Sequence, residues 1–400
     1  MTPKFIQIHF LAAWPGALLN RDDAGLAKRL PFGGATRTRI SSQCLKRHWR
    51  CADDQYNDRA LRVLAREEGV EGTRSKITIE KRVTGPLRDR FDGKAVDAVE
   101  GVFLTHFYGK NAKSSDSRQA LLFGRPEIAW MQENAERILS ENADAKAAEA
   151  AATAWIKEGR ANLNQLREQT ALSASLEAAL FGRMVTSDTR ANTDAAIHVA
   201  HAFTVHEEQP ELDYFTVVDD LKSNADGDSG AAGVFDTELT SGLYYGYVVV
   251  DVPLLVSNLT GCKRGDWAGE QDRDLAARVV ENLVHLVAEV SPGAKKGSTA
   301  PYSRAELVLV EAGDRQPRTL ANAFRDPVPL TDPNSNRGRL GLRTAETLTA
   351  HLKAVDDVYA TGEARRQMAL PDLTLARVDS ANLSDLATWA GEIVRSASVP

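Results

Sequence analysis

Hydrophobic and polar positions along the chain predict strands near both ends of a helical middle section. Alternation at residues 5–11 and the apolar, aromatic run at 243–252 predict two strands, and residues 306–311 predict a third. Apolar residues at helical spacing from Leu275 to Val287 predict an amphipathic helix between the last two strands. The combination indicates an α+β fold.

A short segment near the N-terminus predicts a helix with one strongly polar face. Residues 37–40 have an extended pattern. Ser41-Ser42-Gln43 then starts a helix that ends near residue 52, and one of the two serines is the expected N-cap. Leu45 and Trp49 lie on one side of this helix and are available to the core. The other side carries Gln43, Lys46, Arg47 and Arg50.

The middle of the chain has the composition of a helical insertion. Helical patterns cover residues 126–140, 143–157 and 162–181. The basic stretch at 72–94 is loop-like, and the polar, glycine-rich stretch at 217–233 predicts a mobile loop or a hairpin tip. Two further helices are expected beyond residue 345.

The order of these elements suggests a split ferredoxin-like core with insertions. This is also the framework of RNA-recognition domains. The aromatic RNP signature of those domains is absent, so RNA would have to bind on another surface.

Composition is that of an ordinary soluble protein. Of the 400 residues, 43% are hydrophobic and 26% are charged, and no apolar run approaches the ~20 residues needed to cross a bilayer. The N-terminus lacks the long apolar stretch of a signal peptide. Three scattered cysteines form no C-x-x-C pair, so we expect a cytoplasmic protein without membrane contact.

Charge is distributed unevenly, although a net charge of −6 argues weakly against nucleic-acid binding. No acidic residue lies between Asp23 and Asp53. That stretch holds seven cations: Lys28, Arg29, Arg37, Arg39, Lys46, Arg47 and Arg50. It could be a solvated surface without a ligand, or it could guide a polyanion to one place.

Residues 32–47 combine the groups that a phosphate-binding surface needs. Gly33 and Gly34 permit close backbone approach, and serines stand at a helix start, where free N–H groups favour anions. The segment does not match the P-loop pattern, and nothing in it reads a base edge. If about seven cations each neutralise a phosphate of a single strand, the log–log salt slope of binding should be about −5.

Several motifs in this segment and beyond resemble one known family. They are Asn20-Arg21-Asp22-Asp23, Phe32-Gly33-Gly34, Arg39-Ile40-Ser41-Ser42-Gln43 followed by Leu45-Lys46-Arg47, Gly182-Arg183-Met184, Ala200-His201-Ala202, Asp213-Tyr214-Phe215-Thr216, Ser241-Gly242, Pro292-Gly293-Ala294-Lys295 and Ala321-Asn322-Ala323-Phe324. In this order over residues 5–325, they resemble the CasC-type backbone subunits of type I-E CRISPR Cascade complexes. The likeness is diffuse across residues 54–180 and beyond 325.

The resemblance implies a hand-shaped α+β subunit: a modified RRM/ferredoxin-like palm with a helical finger insertion and a β-hairpin thumb. The implied boundaries are 1–58, 182–205 and 243–400 for the palm with the C-terminal helices, 59–181 for the finger and 206–242 for the thumb. It implies a non-catalytic protein whose copies bind CRISPR RNA (crRNA) along its backbone, beside other Cascade subunits, and present the guide to target DNA.

The resemblance also implies roles for individual residues. Phosphate contacts fall on Arg21, Lys28, Ser41, Gln43, Lys46, Arg47 and Arg50. A wedge at a displaced base falls on Met184, Tyr214, Phe215 and Thr216, and Tyr214 provides a stacking face. Without the resemblance, Met184, Tyr214 and Phe215 would be interpreted as packing residues. Lys295-Lys296, after Pro292-Gly293, could be a solvated loop or a further RNA contact, and we favour the contact. No cofactor or metal is expected.

Two other functions remain open. Asp22 and Asp23 lie in a loop beside the proposed RNA path, and metal-dependent RNA cleavage needs a carboxylate near the scissile phosphate. Backbone subunits of the related type III complexes cut target RNA with an aspartate in a comparable loop. The simpler role for these aspartates is a loop cap or an ion pair. The remaining alternative is a general single-strand binder that carries no guide.

Overall fold

The computed structural model describes residues 2–52, 59–169, 174–184, 192–218, 231–269, 271–294, 296–331 and 339–399. The chain forms two compact units. The first comprises Met1–Ala52, Val199–Val249 and Val280–Pro400, and the second comprises Asp53–His198 and Val250–Val279. The palm, finger and thumb boundaries are not tested by this division and stay predictions.

The strands and helices alternate irregularly along the chain. The strands are β1 (Phe5–Ala17), β2 (Arg29–Phe32), β3 (Ala35–Ile40), β4 (Gly72–Ser75), β5 (Leu121–Gly124), β6 (Ile197–Val199), β7 (Ala202–Thr204), β8 (Pro210–Val218), β9 (Ala231–Asp251), β10 (Ala305–Gly313), β11 (Ala364–Ala369) and β12 (Asp379–Ser380). The helices are α1 (Ser42–Cys51), α2 (Leu61–Glu67), α3 (Gly93–Tyr108), α4 (Arg125–Glu141), α5 (Ala145–Gln169), α6 (Leu176–Phe181), α7 (Val252–Thr260), α8 (Asp274–Glu289), α9 (Lys296–Thr299), α10 (Leu340–Tyr359) and α11 (Leu383–Ser396).

A large sheet of mixed strand directions organises the first unit. Its strands lie in the order β12-β11-β10-β1-β9-β7-β3-β2, and β8 pairs with β9 in addition. β11 and β12 are parallel, whereas β1 is antiparallel to β10 with Ile8 opposite Val310. β1 and β10 are buried along most of their length, as expected for central strands covered on both faces.

Helix α10 and the segment at 320–328 pack on the sheet through one apolar cluster. Leu348 and Leu352 of α10, one helical turn apart, contribute to this cluster together with Leu11, Tyr245 and Phe324. Burying one such side chain stabilises the fold by roughly 1.5–3 kcal/mol. The cluster therefore holds the 320–328 segment firmly in place.

A buried ionic network lies in the same unit. The Glu311 carboxylate accepts hydrogen bonds from Arg318 at 2.9 Å, from Arg365, and from His9 Nε2 at 2.9 Å. Burial alone would raise the pKa of Glu311, but Arg318 and His9 outweigh it and hold the pKa well below its ordinary value. Burial lowers the pKa of His9, so its ring is neutral, donates to Glu311 and accepts from the Tyr245 hydroxyl at 2.9 Å.

The second unit is mainly helical and contains a small sheet in which β4 pairs antiparallel with β5. Ile79–Thr84 form a π-helix, and Gly85–Leu87 form a 3₁₀ turn. Their apolar side chains join those of α3, α4 and α5 in one cluster that includes Phe103 and Met131. This cluster is the hydrophobic core of the second unit.

The mixed α+β class is confirmed, and so are most predicted elements. The strands predicted at 5–11, 243–252 and 306–311 correspond to β1, β9 and β10, and the helices predicted at 275–287, at 126–140 and beyond 345 correspond to α8, α4, α10 and α11. The sequence did not predict β11 and β12, which lie between the last two helices. Among the described residues, no helix is both long enough and apolar enough to cross a bilayer.

Two predicted segments were wrong in part, and a third is described only at its ends. The stretch at 72–94 is not a loop, because Ile79 and Val83 enter the core of the second unit. The pattern at 162–181 is not one helix: α6 begins after Ser175, whose φ of +98° interrupts helical geometry. The ends of 217–233 belong to β8 and β9, which pair antiparallel as the predicted hairpin requires, and residues 219–230 lie outside the described part.

Candidate nucleic-acid interface

Helix α1 presents a polar face because its large apolar side chains are buried. Leu45 and Trp49 are each 1% exposed and anchor the helix to the core. On the other side, Gln43 and Arg47 are exposed, whereas Lys46 and Arg50 are half-buried. The predicted grouping of one amide and three cations on one helix is confirmed, and their contact with phosphate stays a prediction.

Ser41 is the N-cap of α1, which confirms the predicted serine cap and shows which of the two serines forms it. Its hydroxyl accepts a hydrogen bond from the Cys44 N–H at 3.3 Å, and its own N–H donates to the Asn20 side-chain oxygen at 2.8 Å. The residue is buried and its hydroxyl already has a structural role. Asn20 thereby connects the start of α1 to the loop that carries Arg21 and Lys28.

That loop lines a pocket of about 510 Å³ in the first unit. Arg21 bridges to Ala27 through the backbone, and the Lys28 N–H donates to the Asn20 carbonyl at 3.0 Å. The pocket lining includes Asn20, Arg21, Asp22, Asp23, Cys44 and His48. A cation, two carboxylates, a thiol and an imidazole thus face one space.

The Asp22 carboxylate caps its own loop. One of its oxygens accepts hydrogen bonds from the N–H groups of Ala24 at 3.0 Å and Leu26 at 2.9 Å. This is the structural role anticipated for an aspartate in a tight loop. Asp23 is exposed beside it, so a nuclease role would depend on Asp23 more than on Asp22.

Arg29, Arg37 and Arg39 of the basic stretch make internal contacts, and the Arg39 guanidinium donates to the Arg29 carbonyl at 3.0 Å and to His201 Nδ1 at 3.2 Å. Arg29 forms ion pairs with Glu208 and Glu238. Arg37 is fully buried, and its guanidinium donates to backbone oxygens of Thr204 and Phe324 at 2.9 and 3.0 Å. The seven cations of the stretch are therefore not all available to a ligand, because Arg29 and Arg37 have partners in segments more than a hundred residues away in sequence.

Two sequence motifs meet at Gly33. Its φ is +63°, and a Cβ added there would overlap the carbonyl oxygen of Arg325. Arg37 donates to the Phe324 carbonyl one residue earlier. The Phe32-Gly33-Gly34 turn therefore packs directly against the backbone that follows the 3₁₀ turn Ala321–Phe324. Only a glycine at position 33 allows the two backbones to come this close.

Cys44 and His48 do not form a nucleophilic pair. The Cys44 sulfur lies 3.7 Å from His48 Nδ1, but that nitrogen also bonds the Cys44 carbonyl at 2.8 Å. Burial raises the pKa of the Cys44 thiol to about 11, although Lys28 and Arg47 act in the opposite direction. The thiol is protonated near neutral pH and is a poor nucleophile.

The predicted wedge residues of the thumb lie on the hairpin of β8 and β9. Phe215 is opposite Phe235, and their rings stack with centroids 5.7 Å apart. Tyr214 and Thr216 lie on the other face, because successive side chains of a strand alternate. Tyr214 is 70% exposed, Phe215 40% and Phe235 50%. Sequence reasoning missed Phe235, whose importance depends on strand register.

Met184 belongs to the second unit and is 64% exposed. The adjacent Arg183 is buried and pairs with the Glu127 carboxylate at 2.7 Å. The exposure of Met184 and Tyr214 argues against the interpretation that they are packing residues, whereas Phe215 packs on the Phe235 ring and keeps part of its surface exposed. Lys295 lies outside the described residues, so its RNA contact stays a prediction.

The sequence profile of the CT1975-like protein family matches residues 6–390. The chain belongs to this family. No curated protein matches its sequence. The CT1975-like match spans both compact units, so membership applies to nearly the whole chain rather than to one unit.

Solved structures share the fold of this CT1975-like chain. A chain of a "CRISPR RNA-guided surveillance complex, pre-nicking" superposes with a TM-score of 0.71 at 23% identity, covering 96% of this chain and 100% of the other. A chain of a "CRISPR RNA-guided surveillance complex" gives a TM-score of 0.61 at 21% identity, covering 96% and 99%. At such identities the likeness is one of fold.

Proposed function

We propose that this CT1975-like chain binds crRNA along its sugar-phosphate backbone as a repeated, non-catalytic subunit of a CRISPR Cascade surveillance complex of type I-E, in the manner of CasC. Successive copies lie along the guide beside other Cascade subunits. Together they present the guide bases for pairing with target DNA.

The observation that carries the proposal is the fold match over 96% of the chain to chains of two RNA-guided surveillance complexes. Each of those chains is covered almost completely, so the likeness is not confined to one common motif. The assignment to type I-E and to CasC rests on the ordered motifs between residues 5 and 325.

The order of strands and helices supports an RNA-recognition-type palm. Along the chain, β1, α1, β7, β9, α8 and β10 give the β-α-β-β-α-β order of that fold. In the sheet, β1 lies between β10 and β9, and β7 is on the far side of β9. The helical second unit and the β8–β9 hairpin are then the finger and the thumb.

The polar surface around α1 supports backbone binding without base selection. Exposed Arg47 and Gln43 offer donors to phosphate oxygens, which carry no sequence information. The β8–β9 hairpin offers exposed aromatic faces, and base–aromatic stacking tolerates any base. A subunit that holds an arbitrary guide needs both properties.

The lack of catalysis is part of the proposal. Asp22 is engaged as a loop cap, and the Cys44 thiol is protonated near neutral pH. Both observations support a binding role for the pocket. The competing RNA endonuclease would depend on a divalent metal and on Asp23.

The proposal is tested by isolating the chain from cells that carry its neighbouring genes and a CRISPR array, and by sequencing the RNA that accompanies it. We expect RNA of uniform length with repeat-derived ends. Random RNA would favour the general single-strand binder, and absence of RNA would contradict the proposal.

The same preparation tests catalysis. Incubation with RNA complementary to the guide and with Mg²⁺ or Mn²⁺ should leave that RNA intact. Metal-dependent cleavage that disappears in Asp23→Asn would establish the endonuclease instead.

A further inference from the structure

His48 uses both ring nitrogens to join α1 to the segment at 292–294. Nδ1 lies 2.8 Å from the Cys44 carbonyl oxygen, and the Gly293 N–H donates to Nε2 at 3.3 Å. A carbonyl only accepts and an amide N–H only donates, so the ring is neutral with its proton on Nδ1. Burial lowers the pKa of His48, in agreement with this neutral form.

The joined segment is held by further contacts on either side of Gly293. The Ala294 N–H donates to the Leu18 carbonyl at 2.9 Å. A Cβ on Gly293 would approach the Pro301 ring to 2.6 Å, so the backbone there is closely packed. His48 is a side chain of α1 that bonds this backbone directly.

Lys296 follows this segment and is exposed at the start of α9. Its charge is close enough to lower the pKa of His48, and the charge of Arg47 on α1 acts on the same ring. Two cations from chain segments about 250 residues apart in sequence therefore lie near one imidazole. The charge of Lys28 likewise acts to lower the pKa of the neighbouring Cys44, against the larger effect of burial.

We propose that Lys296 is a phosphate-binding residue of this surface, and that His48 is the positioning residue that places it beside Arg47 without touching RNA. The inference rests on the proposed RNA-binding function and adds a contact from the 292–299 segment to those of α1. Without the hydrogen bond from the Gly293 N–H to His48, the backbone before Lys296 would be more mobile, and the contact between Lys296 and phosphate would weaken.

The test measures binding of a short fluorescent single-stranded RNA to the full chain between about 50 and 200 mM salt. Lys296→Gln should flatten the log–log salt slope by about 0.7, the value for one phosphate contact on a single strand. His48→Ala should flatten the slope to the same extent, although His48 is uncharged. The double variant should show no further change, because both substitutions remove one contact.

A rescue variant and a charge control separate positioning from other effects. His48→Gln keeps an acceptor that can reach Gly293 and should restore part of the slope. Lys353→Gln removes a cation of α10 that pairs with Asp357, and it should leave the slope unchanged. Equal flattening by Lys353→Gln would show a general charge effect and would overturn the inference.

Amide exchange of the RNA-free protein provides an independent readout. His48→Ala should accelerate exchange of the Gly293 amide by about five- to tenfold, whereas Lys296→Gln should not change it. Unchanged exchange in His48→Ala, or an unchanged salt slope in both variants, would overturn the inference while the proposed function stands. If the wild-type chain binds no RNA, the proposed function itself fails, and this exchange experiment still tests the positioning role.

Discussion

Arg29 and Arg47 give a direct test of which cations contact RNA. They carry the same group in the same basic stretch, but Arg47 is exposed on α1, whereas Arg29 is paired with Glu208 and Glu238. We expect Arg47→Gln to weaken RNA binding in a salt-dependent way. Arg29→Gln should leave the salt dependence unchanged, because its charge is already balanced.

The structure also changes the size of the expected effect. Because Arg29, Arg37 and Arg39 make internal contacts, the expected slope is worked from the five cations of the predicted phosphate-contact set alone: Arg21, Lys28, Lys46, Arg47 and Arg50. At about 0.7 per neutralised phosphate, five contacts predict a slope of about −3.5 instead of −5. A fourfold rise in salt would then weaken binding about a hundredfold in the wild type and about fiftyfold in Arg47→Gln.

The assay is a titration of fluorescent single-stranded RNA at several salt concentrations, with thermal unfolding of each variant as a folding check. An unchanged slope in Arg47→Gln would refute the assignment of α1 to the RNA path. A flattened slope in a folded Arg29→Gln would refute the argument that ion pairing removes a cation from binding.

Three further predictions concern the buried network, the glycine turn and the hairpin. Glu311→Gln should cost about 3 kcal/mol in urea unfolding near neutral pH, because it removes the central buried partner charge of Arg318 and Arg365, which then keep Asp356 and Glu363 as partners. Because the pKa of Glu311 is lowered in the folded protein, the ionised carboxylate stabilises the fold fully above its unfolded pKa of about 4.3. This stabilisation is lost as the pH falls toward the pKa of the folded protein, so the stability difference between variant and wild type should shrink in acid. Gly33→Ala should lower the thermal unfolding temperature more than Gly34→Ala, since both have positive φ but only Gly33 meets the Arg325 backbone. Phe235→Ala should weaken RNA binding by about 1 kcal/mol with an unchanged salt slope, because it removes the ring that supports Phe215 and no charge.

Each of these predictions has a contradicting result. A Glu311→Gln variant as stable as the wild type would mean that the network does not depend on the carboxylate. Equal effects at Gly33 and Gly34 would mean that positive φ, not the close approach, decides the cost. A Phe235→Ala variant with wild-type affinity would exclude the ring stack from RNA binding.

The sequence predicted local features well. The polar face of α1, its serine cap and the central strands β1, β9 and β10 all follow from local side-chain periodicity and capping, although β9 begins well before the predicted strand. Local patterns are sufficient there because the physical cause is itself local: alternation, helical spacing and hydrogen bonds to nearby backbone groups. The functional hypothesis also came from local sequence, because the family resemblance rests on short motifs that occur in one order along the chain.

Only the tertiary structure shows which charged side chains are buried or paired, and which residues distant in sequence contact each other. Arg37 counts as a surface cation in the sequence, yet its guanidinium bonds a carbonyl 287 residues away. His48 bonds the Gly293 N–H across 245 residues, and Phe235 meets Phe215 only through the register of β8 and β9. Composition reports how many charges and rings a segment holds, whereas burial and long-range hydrogen bonds determine which of them remain available to a ligand.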